Sequence, residues 1–118
     1  MDISNIDGIL ADVMSINGAI ATSLIDWQSG MVLGTAGGSA DFNIELASAG
    51  NSDVIKAKME TMKSLGLAGG IQDILITLTD QIHILKIVES NPELCLYAAF
   101  TDKANLAMAR HKLQSVSA

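Results

Sequence analysis

A chain of 118 residues is the size of one ordinary domain, and with 49% of them hydrophobic it has ample material for a packed core, so disorder is excluded as its main state. Thirteen acidic residues against seven basic ones leave a net charge of −6, and 3% aromatic content supplies few stacking platforms, so the composition argues against nucleic acid as a partner. Mean hydropathy is +0.38, yet no apolar run approaches the roughly 18 to 20 residues that span a bilayer.

The longest candidate run, Ile71 to Val88, is cut by Gln72, Asp73, Asp80, Gln81, His83 and Lys86. The opening Met1-Asp2-Ile3-Ser4-Asn5 carries no basic residue, so neither a secretory signal nor a transit peptide is expected there, and a cytosolic location is the default. Ile3, Ile6, Ile9, Leu10, Val13 and Met14 recur at three and four residues, the period of an amphipathic helix, with Asp2, Ser4, Asp7 and Asp12 on its other side. Gly18 to Asp26 carries Ile20, Thr22 and Leu24 on one parity and Ala19, Ala21, Ser23 and Ile25 on the other, which predicts a strand covered on both faces. Trp27-Gln28-Ser29-Gly30 reads as a turn and Met31 to Thr35 as the return strand of a hairpin. Gly34-Thr35-Ala36-Gly37-Gly38-Ser39 is expected to close it as a flexible loop.

From about Asp41 to Leu65 the helical period returns, with Ser39 or Asp41 placed to cap the N-terminus and Gly66 to stop the C-terminus. Ile44, Ser48, Asn51, Ile55, Met59 and Met62 form one stripe of this helix. Leu46, Gly50, Val54, Ala57 and Thr61 form a second, lined by small residues. Asp53, Lys56, Glu60 and Lys63 form a third face, at spacings that permit salt bridges. A helix that must bury two faces needs two neighbours, and one of them can be another subunit. Ile71 to Leu78, a tight turn around Thr79-Asp80, and Gln81 to Val88 make a second hairpin. Ser90-Asn91-Pro92 turns the chain into Leu94 to Phe100, apolar at nearly every position and therefore expected to be central. Asp102 is placed to cap a last helix in which Leu106, Ala109, Arg110 and Leu113 share a side. No linker or low-complexity segment interrupts the order α-β-β-α-β-β-β-α. It predicts a single α+β domain over residues 1–118, a five-stranded, mostly antiparallel sheet with helices on both faces.

Few residues gather in a pattern that carries chemistry. Cys95, the lone cysteine, lies between Leu94, Leu96 and Tyr97 and reads as a buried structural thiol. His83 and His111 have no Cys or His at ligand spacing, so no metal site is expected; a Cys95–His83 nucleophile pair across neighbouring strands would lack an orienting third group. The Gly34–Ser39 cluster lacks the Gly-Lys-Ser/Thr ending of a phosphate-binding loop and follows a hairpin strand, so it reads as a connector. No catalytic residue, metal or organic cofactor is predicted, and the chain is read as a non-enzyme.

The local words are more specific. Ile9-Leu10 through Ile16-Asn17-Gly18-Ala19-Ile20-Ala21, then Leu24-Ile25-Asp26 and Ser29-Gly30-Met31-Val32-Leu33-Gly34, resemble the opening of the Roadblock / dynein light chain family. Asp102 followed by Ala104-Asn105-Leu106-Ala107-Met108-Ala109-Arg110 resembles its closing helix, while Ser48-Ala49-Gly50-Asn51-Ser52 is more polar than the family pattern. The resemblance spans nearly the whole chain. It implies a profilin-like architecture and a homodimer or heterodimer, here read as a homodimer, in which the strand after the middle helix pairs with its copy and the two middle helices pack together. On this sequence that interface takes Leu46, Gly50, Val54, Ala57 and Thr61 from the helix and Asp73, Leu75 and Thr77 from the strand. The Ile71–Leu78 strand, apolar at Ile74, Ile76 and Leu78, carries no Lys or Pro to blunt it as a free edge. The resemblance further implies a platform for a Ras-like small GTPase, for dynein intermediate chain or for other scaffold proteins; a GTPase is the reading taken, with Asp53, Lys56, Glu60 and Lys63 as the expected contacts and a role in GTP hydrolysis or in scaffolding. Two other readings remain: a structural subunit of a larger complex, or a small-molecule sensor of profilin-like or PAS-like type, for which few aromatic or convergent polar groups are available to line a pocket.

Overall fold

In the computed structural model, which describes residues 1–118, a 3-10 turn at Ile3–Asn5 runs into α1 (Ile6–Met14). There follow β1 (Ala19–Asp26), β2 (Met31–Gly37), α2 (Ile44–Ser64), β3 (Asp73–Thr77), β4 (Gln81–Ile87), β5 (Leu94–Thr101) and α3 (Leu106–Ser117). The five strands form one sheet in the order β2-β1-β5-β4-β3. Every neighbouring pair is antiparallel, so the α+β class and the element order expected from periodicity hold. β5 is central and buried along its length except at Thr101. β2 and β3 are the two edges.

The two faces of the sheet carry separate cores. On one, Leu24, Ile84, Leu96, Ala98 and Phe100 pack under α1 and α3 through Leu10, Val13, Ala109 and Leu113. On the other, Ala21, Ile25, Leu85, Tyr97 and Ala99 pack with Ile44 and Ile55 of α2, which lies across β1 and β2. The polar first half of α2 is accommodated by hydrogen bonds. Ser48 Oγ lies 2.6 Å from Ile44 O and 2.7 Å from Ser23 Oγ, and both serines are fully buried. Since Ser48 has one hydroxyl proton, given to Ile44 O, Ser23 donates to Ser48 Oγ.

Four sequence expectations are corrected. The segment expected as a flexible Gly34–Ser39 loop is strand through Gly37, with Gly34, Thr35, Ala36 and Gly37 opposite Leu24, Ser23, Thr22 and Ala21. Glycine is what lets α1 cross this strand: a Cβ on Gly34 would meet Ile6 Cγ2 at 2.8 Å. The cap of α2 is neither Ser39 nor Asp41 but Asn43, whose side chain accepts from the amides of Glu45 and Leu46 at 3.1 Å each. Likewise Asn105, not Asp102, caps α3, accepting from the Met108 amide at 3.0 Å. In both cases the residue that caps is the one immediately before the first apolar helical residue, as the capping geometry demands. β3 is shorter than Ile71–Leu78. The helix stop at Gly66 holds: it has φ +71, and the amides of Gly66 and Leu67 bond to the carbonyls of Lys63 and Met62, a Schellman closure that needs a left-handed residue.

Candidate functional site

Burial disposes of the nucleophile reading first. Cys95 is fully buried and its thiol is pushed well up by that burial, which leaves it inert. It faces Ile87 across the sheet, whereas His83 faces Ala99. Four residues along one strand separate the two groups by roughly 13 Å. His83 instead bonds through Nε2 to Gln81 Oε1 at 2.8 Å and through Nδ1 to the Tyr97 hydroxyl at 3.3 Å. An amide oxygen only accepts, so Nε2 carries the proton and Nδ1 accepts from tyrosine, a neutral imidazole. Burial pushes the His83 pKa down, which agrees with that assignment. Burial also pushes the Tyr97 phenol up to about 12, against a smaller opposing effect of a hydrogen bond from Asn51 of α2. This is a structural seam tying β4 and β5 to α2.

The three faces of α2 separate cleanly. Ile44, Ser48, Ser52 and Ile55 point into the sheet. Leu46, Gly50, Val54, Ala57 and Thr61 are all exposed, Leu46 by 72%. At 100° per residue this stripe lies about 150° around the helix from the buried one, and no element of the chain covers it. Asp53, Glu60 and Lys63 are exposed and Lys56 is half-buried, and none of the four forms an ion pair.

β3 is an unpaired edge whose two parities diverge. Ile74 and Ile76 pack on the α2 side of the sheet. Asp73, Leu75 and Thr77, the residues expected at the interface, share the opposite parity and face the α3 side. The structure therefore does not bring these three side chains next to the α2 stripe. Asp73 is also engaged within the chain: Arg110 Nε and Nη2 donate to its Oδ2 and Oδ1 at 2.6 and 3.0 Å. This bidentate pair is the only salt bridge of the protein, and the hydrogen bond to Asp73 raises the Arg110 pKa further.

The structure also holds a cleft of about 670 Å³ at the corner of the sheet beyond the start of β3, walled by Trp27, Met59, Ile71, Lys86, Ile87 and Val88, with Glu89, Glu93 and three glutamines around it. Trp27 is its only aromatic, in keeping with the expectation that few aromatic groups are available to line a pocket. The signal for the cleft was in the sequence: Lys86 interrupts the otherwise apolar parity of Ile82, Ile84 and Val88. Elsewhere, no three His, Cys, Asp or Glu side chains are gathered as a metal site would need, and no helix is long and apolar enough to cross a membrane.

No protein-family description and no curated protein matches the sequence. Solved structures do match, over nearly the whole chain. A Roadblock/LC7 domain from Streptomyces avermitilis superposes with a TM-score of 0.80 at 15% identity, covering 94% of this chain and 90% of that one. MglB of Myxococcus xanthus gives 0.83 at 15% identity, with 99% and 92% covered. The gliding protein MglB of Thermus thermophilus gives 0.72 at 17% identity, with 97% and 89% covered.

Proposed function

We propose that this chain, which has the Roadblock/LC7 fold, is a non-enzymatic homodimeric adaptor that docks a Ras-like small GTPase. The observation that carries the reading is the combination of an outward, small-residue stripe on α2 with an unpaired β3 edge. Soluble monomers blunt such edges with charge, proline or a covering segment, and β3 has none of these at its centre, Ile74-Leu75-Ile76. Pairing β3 with its copy would satisfy the edge through the backbone, leaving Ile74 and Ile76 on the α2 side and Leu75 on the other. Two α2 stripes with Gly50 and Ala57 at their middle permit close helix approach. The shared fold agrees with the sequence resemblance, and it is that resemblance which implies a GTPase as partner.

The adaptor works without an arginine supplied to the nucleotide. Arg110 is the only arginine, and its guanidinium fork is occupied by Asp73 on the face opposite α2. Any acceleration of hydrolysis then comes from biasing the GTPase's own switch segments toward an ordered state. The charged face Asp53, Lys56, Glu60 and Lys63, free of internal ion pairs, is the docking surface in this reading. The test is a pull-down from the source cell with the immobilised full chain, followed by titration of each recovered Ras-like GTPase in its GTP and GDP forms. Nucleotide-dependent binding of one of them is the expected result. Failure of every Ras-like GTPase of that cell to bind refutes the function.

A further inference from the structure

Lys86 occupies a position that is costly for a cation. It lies on the buried parity of β4 with Ile82, Ile84 and Val88 and is only 5% exposed. Its ammonium donates to one protein acceptor, the carbonyl oxygen of Gln72 at 3.3 Å, long for a charge-assisted bond, which is typically about 2.8 Å. No carboxylate lies within salt-bridge reach of it. Its partner across the strands, Asp73, lies outside that reach and pairs with Arg110 instead. A nearly buried ammonium with a single protein acceptor favours an anion brought to it.

Lys86 forms part of the wall of the 670 Å³ cleft, a volume within the range of small-ligand sites. Beside it the wall is apolar: Met59 of α2, Ile71, and Trp27, whose Nε1 donates to Pro92 O at 2.8 Å so that the ring is fixed in place. The exposed Glu89 and Glu93, on the turn between β4 and β5, also line the cleft and form no ion pair. One buried cation within and two carboxylates at the rim are complementary to a ligand carrying both charges. A simple anion would meet those carboxylates and the −6 charge of the whole chain.

The geometry points to this cleft as a binding site for a small apolar zwitterion of the amino-acid or dipeptide class. The ligand carboxylate pairs with Lys86, its ammonium faces Glu89 and Glu93, and its aliphatic side chain lies along Trp27 and Met59. The inference stands apart from the dimer and the GTPase, since every group it uses belongs to one chain.

Trp27 is the only tryptophan, so intrinsic fluorescence of the intact protein reports on this cleft directly. Four probes are titrated to tens of millimolar: L-leucine, L-leucyl-L-leucine, 4-methylpentanoate, which lacks the ammonium, and 3-methylbutylamine, which lacks the carboxylate. The expected result is a saturable change with leucine or the dipeptide, the two arms distinguishing a free amino acid from a peptide. Binding of 4-methylpentanoate should be at least about tenfold weaker, and 3-methylbutylamine should be silent. Lys86→Met, which replaces the ammonium by an unbranched apolar side chain one atom shorter, should remove the response. Should that variant not fold, the exposed Glu93→Gln decides: it weakens leucine or dipeptide binding and does not weaken that of 4-methylpentanoate, which loses a repelling charge. The inference is overturned if neither zwitterion saturates, if Lys86→Met binds as the wild type does, if 4-methylpentanoate binds as well as leucine, or if Glu93→Gln weakens both equally.

Discussion

Leu46→Asp separates association from folding better than any other single change. Leu46 lies in the first turn of α2, three residues after the Asn43 cap that accepts its amide proton, so an aspartate there sits at the positive end of the helix dipole and is favourable to the isolated helix. The side chain is 72% exposed in the single chain and touches little that folding needs. Burying a whole leucine is worth roughly 1.5 to 3 kcal/mol, so covering the exposed share in a dimer is worth roughly 1 to 2 kcal/mol per copy. In a two-fold dimer the change is made twice, which removes roughly 2 to 4 kcal/mol and raises Kd on the order of a hundredfold. Desolvating two carboxylates would raise it further. Sedimentation velocity over a concentration series measures the shift. Thermal melting at concentrations where both proteins are monomeric should show the variant no less stable than the wild type. An unchanged Kd would refute the placing of Leu46 in the interface, and a wild-type protein that stays monomeric at tens of micromolar would refute the dimer.

The remaining predictions rest on other parts of the molecule. Ser48→Ala strands the buried Ser23 hydroxyl without an acceptor and should cost about 1 to 3 kcal/mol in urea denaturation, while Ser23→Ala with Ser48→Ala should recover part of the loss. His83 has a folded pKa below its ordinary value of 6.5. The unfolded chain therefore takes up a proton first, and stability contributed by neutral His83 is present above that value and declines as pH falls from it toward the lower folded pKa. The stability difference between wild type and His83→Gln should accordingly shrink between neutral pH and the acid side of 6.5, and a difference independent of pH would contradict the neutral assignment. In single-turnover hydrolysis by the partner GTPase, Arg110→Ala should leave any stimulation intact, whereas Lys56→Glu with Glu60→Lys should weaken binding. Loss of stimulation with binding preserved in Arg110→Ala would refute the proposed mechanism.

Local pattern determined a great deal of this protein. The 3.6-residue recurrence of Ile6, Ile9, Leu10 and Val13, the unbroken apolar run of β5 and the glycine at position 66 each express a constraint acting within a few residues, so element order, the central strand and a helix stop were legible in one dimension. The resemblance to the Roadblock opening and closing words was legible in the same way, and the fold agrees with it. Tertiary structure decided what depends on residues far apart in the chain. Strand pairing carried β2 through Gly37, because the backbone of β1 was there to accept it and α1 needed glycine to cross it. Arg110 found Asp73 across 37 positions and removed that carboxylate from the edge surface. The opposite parities of Ile74 and Leu75 set which side chains stand beside α2, a distinction that a list of edge residues does not contain. The corner cleft is the clearest case: Trp27, Met59 and Lys86 come from a turn, a helix and a strand, and only the packing of α2 and α3 against the two faces of one sheet makes a single wall of them.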